Sequence, residues 1–257
     1  MVFPISIGMA SILFYLAAWL YLFNSIKQLS EFRRLWYIPT IIALLLHAVF
    51  LYTTIDKAQL QNLAWPNLFS VTVWLAGVMV TLFGSVKKAH NLCLLIFPLA
   101  ILAILMQFGW QGNDMVNTGK NVPLLIHILL SIIAMAGSLI AMVQALLLAG
   151  QNYLLHRQIR FRWLMLLPPV DAMEQLLFNL ISFNFILLTL TLISALWLLH
   201  GLEWRYLLPK ATMSLSAWVV FGILLIGRHK FGWYGKIAIR CTLIGFFILL
   251  LVYTQSG

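Results

Sequence analysis

Residues 121–151 read NVPLLIHILLSIIAMAGSLIAMVQALLLAGQ, and this stretch decides the fold class. From Val122 to Gly150 it contains no Asp, Glu, Lys or Arg, so it is long enough and apolar enough to cross a bilayer as one helix. Its only ionisable side chain is His127. Because an imidazole inside hydrocarbon is costly, His127 is a candidate functional residue.

Small residues continue the helix face below this histidine, at Ser131, Ala134, Ser138, Ala141 and Ala145. A narrow stripe of this kind favours either a closely packed neighbouring helix or a flat ligand. Tight helix packing is the more frequent meaning of such a stripe.

The composition indicates a membrane protein. Of the 257 residues, 63% are hydrophobic and 9% are charged, whereas soluble domains carry roughly 25% charged residues. The net charge of +10 would favour nucleic acid as the partner of a soluble protein, but here the lipid bilayer is the expected partner and nucleic acid is not. The two cysteines form no CxxC motif, which disfavours a dithiol redox centre, a zinc ribbon and covalent c-type heme.

Hydropathy predicts an all-α integral membrane protein, a bundle of about eight transmembrane helices in a single polytopic domain covering residues 1–257. The predicted spans are Pro4–Phe23, Trp36–Ile55, Pro66–Ser85, Leu92–Phe108, Val122–Ala149, Leu176–Leu199, Thr212–Gly227 and Ile237–Tyr253. The loops between them are short and leave no room for a soluble catalytic domain.

The cations predict the orientation, because cytoplasmic loops of membrane proteins are enriched in Lys and Arg. Twelve lie in loops one, three, five and seven or at the start of the eighth span: Lys27, Arg33, Arg34, Lys87, Lys88, Arg157, Arg160, Arg162, Arg228, Lys230, Lys236 and Arg240. Four lie in the other loops: Lys57, Lys120, Arg205 and Lys210. The first set is predicted to be cytoplasmic, with both termini on the outer side of the membrane.

Three of the six histidines are predicted to lie in the outer half of the membrane. His127 lies about two helical turns below the outer surface, and His200 ends the sixth span at that surface. His47 lies roughly 16 Å above the cytoplasmic end of the second span. His229 lies at the cytoplasmic end of the seventh span, and the other two histidines lie in cytoplasmic loops.

The outer histidines point to iron chemistry. Neutral imidazole is the commonest metal ligand, and two facing imidazoles form an axial pair for heme iron. A non-covalent, b-type heme also needs apolar walls and cations for its propionates. The candidates for these roles are Trp65, Trp110, Trp197 and Trp204 for the walls and Arg205 and Lys210 for the propionates.

Each candidate also has a structural interpretation. Tryptophan lines both interfaces of ordinary membrane proteins, and an intramembrane histidine can simply hydrogen-bond a neighbouring helix. His200 can cap the C-terminus of its helix. His229 lies between Arg228 and Lys230 and can simply belong to the positive charge that cytoplasmic loops ordinarily carry. A transporter is disfavoured because no span holds a charged residue away from its ends. A hydrolase is disfavoured because the sequence has no acidic pair, GxSxG or HExxH motif.

Four segments carry a family resemblance. They are LLIHILLS at Leu124–Ser131, LPPVDAME at Leu167–Glu174, LPKATMSLSAW at Leu208–Trp218 and GRHKFGWYGKIAIR at Gly227–Arg240. In order, spacing and topology they resemble the histidine-bearing helix start, the PPLE-type segment, the WDPKE loop and the basic GWRG-type turn of the cytochrome c assembly (CcsA/CcmC/HemX-like) membrane family. Within that family, the short YpjD-type inner-membrane proteins are the most similar subgroup.

The resemblance implies that the protein holds heme in the membrane and presents it on the outer face for cytochrome c maturation. Other cytochrome assembly or membrane proteins are the partners it implies. His127 matches the family's outer-surface ligand histidine, and His47 resembles its membrane histidine on an early span. His229 lies near the histidine before the GW turn, displaced by about one helical turn.

The sequence departs from the family pattern at the WDPKE loop. Leu208 and Ala211 stand where the family has Asp and Glu, and Trp204 is the only tryptophan left in that loop. The family's final outer histidine is also missing, and His200 is our candidate substitute for it. These departures weaken the heme-presenting step more than heme binding itself.

The sequence therefore predicts a non-enzymatic heme-binding or heme-handling protein of the inner membrane. The candidate heme contacts are His127 as main iron ligand, His47 or His200 as its partner, and Lys210, Trp204 and His229. A heme-free membrane scaffold of the same fold is the first alternative, and a transporter of a small solute or metal ion is the second.

Overall fold

The structure is a computed structural model of the chain, and it describes residues 2–27, 36–57, 60–87, 89–110, 112, 114–116, 122–157, 167–198 and 204–254. Eight α-helices lie within these ranges. They are α1 (Val2–Lys27), α2 (Tyr37–Ile55), α3 (Trp65–Lys87), α4 (Cys93–Gly109), α5 (Val122–His156), α6 (Val170–Leu198), α7 (Trp204–Phe231) and α8 (Lys236–Thr254).

The helices follow from the apolar sequence, because a segment inside hydrocarbon must pair its backbone N–H and C=O groups internally. Seven helices in the described ranges are long and apolar enough to cross a membrane. The other, α4, is apolar but has only 17 residues and contains Pro98. Each predicted span falls on one of the eight helices, which confirms the helical membrane architecture.

Three helices extend beyond their predicted spans by about one and a half helical turns or more at one end. Helix α5 ends at His156, α6 begins at Val170 and α7 begins at Trp204. Hydropathy detects the part of a helix that a bilayer covers, whereas the backbone hydrogen-bond ladder also runs through polar residues such as Gln151 and Glu174.

A small antiparallel sheet, which the sequence does not predict, lies beside the helices of an otherwise all-helical chain. Strands β1 (Asp56–Lys57), β2 (Leu60–Asn62) and β3 (Met115–Val116) lie in the order β1-β2-β3. They join the segment between α2 and α3 to the segment that follows α4. Strands of two or three residues are too short for the alternating pattern by which a strand is recognised in sequence.

The chain forms two compact units. The first comprises Met1–Val116 and Leu154–Pro168, and therefore contains α1 to α4 and the sheet. The second comprises Asn117–Tyr153 and Pro169–Gly257, and contains most of α5 together with α6, α7 and α8. The single polytopic domain stays a prediction.

In the first unit, side chains of two helices donate hydrogen bonds to the same turn of α2. The Ser11 hydroxyl of α1 donates to the Ala43 carbonyl at 3.0 Å, and the Trp74 indole of α3 donates to the Leu44 carbonyl at 2.9 Å. A helix carbonyl has a second lone pair beside the one used within the helix, so these bonds join three helices without breaking the α2 ladder.

In the second unit, α6 contacts both α5 and α7 through polar side chains. Asn184 of α6 donates to the Ser138 hydroxyl of α5 at 2.7 Å. The Trp218 indole of α7 donates to the Thr189 hydroxyl of α6 at 2.8 Å. Such bonds hold apolar helices together where burial alone gives little preference for one register over another.

Candidate functional site

His127 lies in the second turn of α5, where its side chain is half-buried. Its Nδ1 atom lies 2.8 Å from the Oγ atom of Ser194 on α6. The Ser194 hydroxyl also lies 2.7 Å from the Thr191 carbonyl oxygen. Among the residues that the structure describes, the Nε2 atom of His127 has no hydrogen-bonding partner. One ring nitrogen is thus held and the other is open.

The small-residue stripe below His127 packs against protein. Four of its five members are buried: Ala134, Ser138, Ala141 and Ala145. Ser138 accepts the hydrogen bond from Asn184, and a Cβ atom on the adjacent Gly137 would lie 2.7 Å from the Asn184 Oδ1 atom. At this level the stripe serves close approach of α5 and α6, the more frequent of its two interpretations.

His47 is fully buried in the first unit, and both of its ring nitrogens are engaged. Nδ1 lies 3.1 Å from the Tyr15 hydroxyl on α1, and Nε2 lies 2.9 Å from the Ser70 hydroxyl on α3. The Tyr15 ring also meets the imidazole edge-on, with 5.8 Å between ring centroids. His47 therefore links three helices, and in this arrangement neither nitrogen presents a lone pair to a metal.

Part of the predicted outer site lies outside the described residues. His200 is among those residues, and so are the side chains of Trp204 and Arg205, although both backbones belong to the first turn of α7. Lys210 lies in the second turn of α7 and is half-buried.

His229 is exposed in the last turn of α7. Its neighbour Arg228 lies over the Phe178 ring of α6, 4.5 Å from the centroid, whereas His127 contacts Ser194 of the same helix. With a rise of 1.5 Å per residue, Phe178 and Ser194 are about 24 Å apart along α6. The structure therefore places His229 and His127 at opposite ends of the second unit.

The predicted wall tryptophans lie largely at the surface. Trp110 and Trp197 are both exposed, and Trp65 contacts Trp110 with 6.2 Å between ring centroids. This exposure matches the interface belt that tryptophan forms in membrane proteins.

The described ranges contain no group of three or more His, Cys, Asp or Glu residues that could hold a metal ion. The thiols of Cys93 and Cys241 are free. Heme iron takes only its axial ligands from the protein, so a single open imidazole is sufficient to begin such a site.

Two of the segments that carry the family resemblance meet in the second unit. Glu174 is buried at the start of α6, and its Oε1 atom accepts a hydrogen bond from the Gly235 N–H at 3.0 Å. Gly232 and Gly235 have φ angles of 63° and 59°, in the left-handed region that favours glycine. Trp233 between them packs on Gly227, where a Cβ atom would overlap the indole. One hydrogen bond thus ties the PPLE-type segment to the GW turn.

The hydroxyl partners of the two imidazoles were missing from the sequence analysis. Tyr15, Ser70 and Ser194 each lie within an apolar segment, where a hydroxyl can hydrogen-bond across helices. A search for isolated hydroxyls in spans would have found them. It would not have paired them with the histidines, because the pairing depends on how separate helices pack.

Comparison with known proteins identifies the family. The family model described as "Cytochrome C assembly protein" matches residues 5–256. The chain belongs to the cytochrome c assembly protein family. The resemblance carried by the four segments is thereby confirmed.

Individual members of the cytochrome c assembly family are similar to this chain. The inner membrane protein YpjD of Escherichia coli K12 is 29% identical over 234 residues, which is 90% of this chain and 88% of the relative. The cytochrome c biogenesis protein CcsA of Cyanophora paradoxa is 36% identical over 99 residues, 37% of this chain and 30% of the relative. CcsA of Prochlorococcus marinus is 34% identical over 85 residues. No solved structure matches. With its seven candidate spans, the chain is a multi-pass protein of the bacterial inner membrane.

Proposed function

We propose that this protein is a non-enzymatic, heme-handling member of its family that binds heme non-covalently and serves cytochrome c assembly. The observation that carries the proposal is the half-buried imidazole of His127, with Nδ1 held by Ser194 and Nε2 open. Membership of the cytochrome c assembly family supports heme as the ligand. The chain's similarity to two CcsA proteins of cytochrome c biogenesis supports the same process here.

The arrangement at His127 fits an axial ligand of heme iron. Metal-bound histidines characteristically hold one ring nitrogen in a hydrogen bond and ligate through the other. Bound heme would supply the iron and a flat apolar ring, and the chain would supply the imidazole that holds it. Lys210 in the second turn of α7 is proposed to face the propionates, and Trp204 in the first turn is proposed as an apolar wall.

The second axial ligand is proposed to be His200 or His47. To ligate iron, His47 would have to release Tyr15 or Ser70, and a buried hydroxyl left unsatisfied costs about 1–3 kcal/mol. Because of this cost, His200 is the preferred candidate for the second iron ligand. His229 lies at the far end of the second unit from His127, too far away to contact the heme that His127 would hold.

The proposed orientation has both termini on the periplasmic side. Its support is the distribution of Lys and Arg, which concentrates in the loops assigned to the cytoplasm. In this orientation the His127 end of α5 lies near the outer surface, which is the side on which the family presents heme.

The absorption spectrum of the detergent-purified protein tests the function. We expect a Soret band, present on purification or after addition of hemin, that is lost or reduced at least tenfold in His127→Gln because the main iron ligand is gone. His156→Gln is the matched control, since His156 is exposed at the other end of the same helix. A wild-type protein that is colourless and does not bind added hemin would overturn the proposal.

A heme-free scaffold of the same fold is the second candidate function. It is favoured by His47, which the structure accounts for as a link between α1, α2 and α3. In that case His127→Gln would leave both thermal stability and recovery of partner proteins by affinity purification unchanged, and hemin would not shift the melting temperature of the wild type.

A further inference from the structure

The hydrogen bonds around His127 determine where its ring proton lies. Three groups are in series: the Nδ1 atom of His127, the Ser194 hydroxyl 2.8 Å away, and the Thr191 carbonyl a further 2.7 Å away. A carbonyl oxygen only accepts, so an oxygen pair this close requires the single Ser194 proton to lie between them. The Ser194 lone pairs then face the imidazole. A hydrogen bond to the ring is possible only if Nδ1 carries the proton.

Neighbouring hydroxyls leave this arrangement undisturbed. The Thr191 hydroxyl donates to the Leu187 carbonyl of its own helix at 2.9 Å. The Ser131 hydroxyl, one turn along α5, donates to the backbone carbonyl of His127 at 2.8 Å rather than to the ring. Among the described residues, Ser194 is thus the hydroxyl bonded to the imidazole. The Thr191 carbonyl also interacts with the ring, and because a carbonyl oxygen only accepts, it favours a protonated ring nitrogen on the same side.

We propose that Ser194 is a positioning residue that fixes His127 in the Nδ1–H tautomer and so makes Nε2 the ligating atom. This inference rests on the proposed function for its purpose, but it concerns the chain's own residues. Ser194 restrains both the rotation of the imidazole and the site of its proton before any ligand arrives. Removing a residue that hydrogen-bonds the non-ligating nitrogen of a metal-bound histidine typically lowers metal affinity by about 10- to 100-fold.

The tautomer is directly measurable without heme. In protein labelled with ¹⁵N-histidine, protonated and unprotonated ring nitrogens have distinct chemical shifts. At about pH 8.5, two units above the ordinary imidazole pKa, accessible histidines are neutral. The signals of His127 are assigned by their loss in His127→Gln. We expect Nδ1 to be the protonated nitrogen of His127 in the wild type, and Ser194→Ala to shift the population toward the Nε2–H form.

Two further variants separate positioning from general packing. Ser194→Thr keeps the hydroxyl and should keep the wild-type tautomer. Ser131→Ala removes a hydroxyl one helical turn away that bonds the backbone of His127, and it should leave the ring signals unchanged. In hemin titrations, Ser194→Ala should weaken binding about tenfold and Ser131→Ala should not.

The outcomes distinguish the inference from the function it serves. If Nε2 is the protonated nitrogen in the wild type, or if Ser194→Ala leaves the tautomer unchanged, the inference is overturned even when hemin binds. If the tautomer depends on Ser194 but hemin does not bind to the wild type, the inference is supported and the proposed heme function is overturned.

Discussion

His47 and His127 are both single imidazoles in apolar helices, and their surroundings give them different capacities. His47 is buried between the Tyr15 and Ser70 hydroxyls, which use both of its ring nitrogens. His127 is half-buried with one nitrogen used and one open. The sequence predicts both as intramembrane histidines and ranks His127 first only through the family resemblance, because the hydroxyls that distinguish their surroundings lie on other helices.

Replacing His47 tests its role as a link between helices. We expect His47→Ala to lower the free energy of unfolding by about 2–4 kcal/mol, because it leaves a cavity and deprives two buried hydroxyls of their partner. The measurement is denaturant or thermal unfolding in detergent. His156→Ala, at an exposed histidine, should change the free energy by less than about 0.5 kcal/mol. Equal stabilities of the two variants would contradict the assignment.

At the scale of helices, Asn184 of α6 packs against Gly137 of α5. The Asn184 Nδ2 atom donates to Ser138, while its Oδ1 atom lies over Gly137 and is buried with no hydrogen-bonding partner in the described part of the chain. The small residues of α5 are therefore a packing surface at this level. The sequence reveals the stripe, but the residue that occupies the space above it lies on α6 and is not predictable from spacing along α5.

Two glycines of α5 give opposite predictions for the same substitution. Gly137→Ala should destabilise the protein by about 1–3 kcal/mol, because its Cβ atom would lie 2.7 Å from the Asn184 Oδ1 atom. Gly150→Ala meets nothing within 4 Å and should stabilise the helix by about 0.5–1 kcal/mol. Unfolding in detergent measures both. In an Asn184→Ala background the cost of Gly137→Ala should largely disappear, and a cost that persists there would show that another contact is responsible.

The sequence predicts where the helices lie along the chain, but it does not predict the residues at which several of them begin and end. The apolar runs place all eight helices, because hydrocarbon accepts only backbone that is hydrogen-bonded within its own segment. The start of α6 at Val170 was not predicted, since Asp171 and Glu174 lower the hydropathy of a turn that is nevertheless helical. Glu174 is stabilised there by the N–H of Gly235, in the turn between α7 and α8, a contact distant in sequence that no local pattern predicts.

At the scale of the whole molecule, the charge distribution predicts which surface faces the cytoplasm. Two residues of similar exposure lie in loops assigned to opposite sides: Trp110, which is 68% exposed, and Tyr234, which is 65% exposed. Their similar accessibility makes them a matched pair for labelling, because a difference in reactivity between them reports the side of the membrane.

We expect a membrane-impermeant maleimide to label Trp110→Cys and not Tyr234→Cys in sealed, right-side-out membrane vesicles. Both substitutions are placed in a variant that lacks Cys93 and Cys241. The physical reason is the excess of Lys and Arg in the loops on the Tyr234 side. Both sites should react after detergent permeabilisation. Labelling of Tyr234→Cys alone in sealed vesicles would contradict the proposed orientation and indicate the opposite one.

The length of α5 has a consequence for the membrane in which the protein works. Its 35 residues measure about 52 Å, whereas a bilayer's hydrocarbon core is about 30 Å thick. Since Val122–Gly150 is uncharged and longer than the roughly 20 residues a span needs, α5 can tilt or slide by a turn without burying a charge. A thinner bilayer would bring His127 toward the headgroups and a thicker one would cover it with acyl chains. Hydrophobic mismatch, and therefore lipid composition, sets how accessible this imidazole is to anything arriving from the aqueous side.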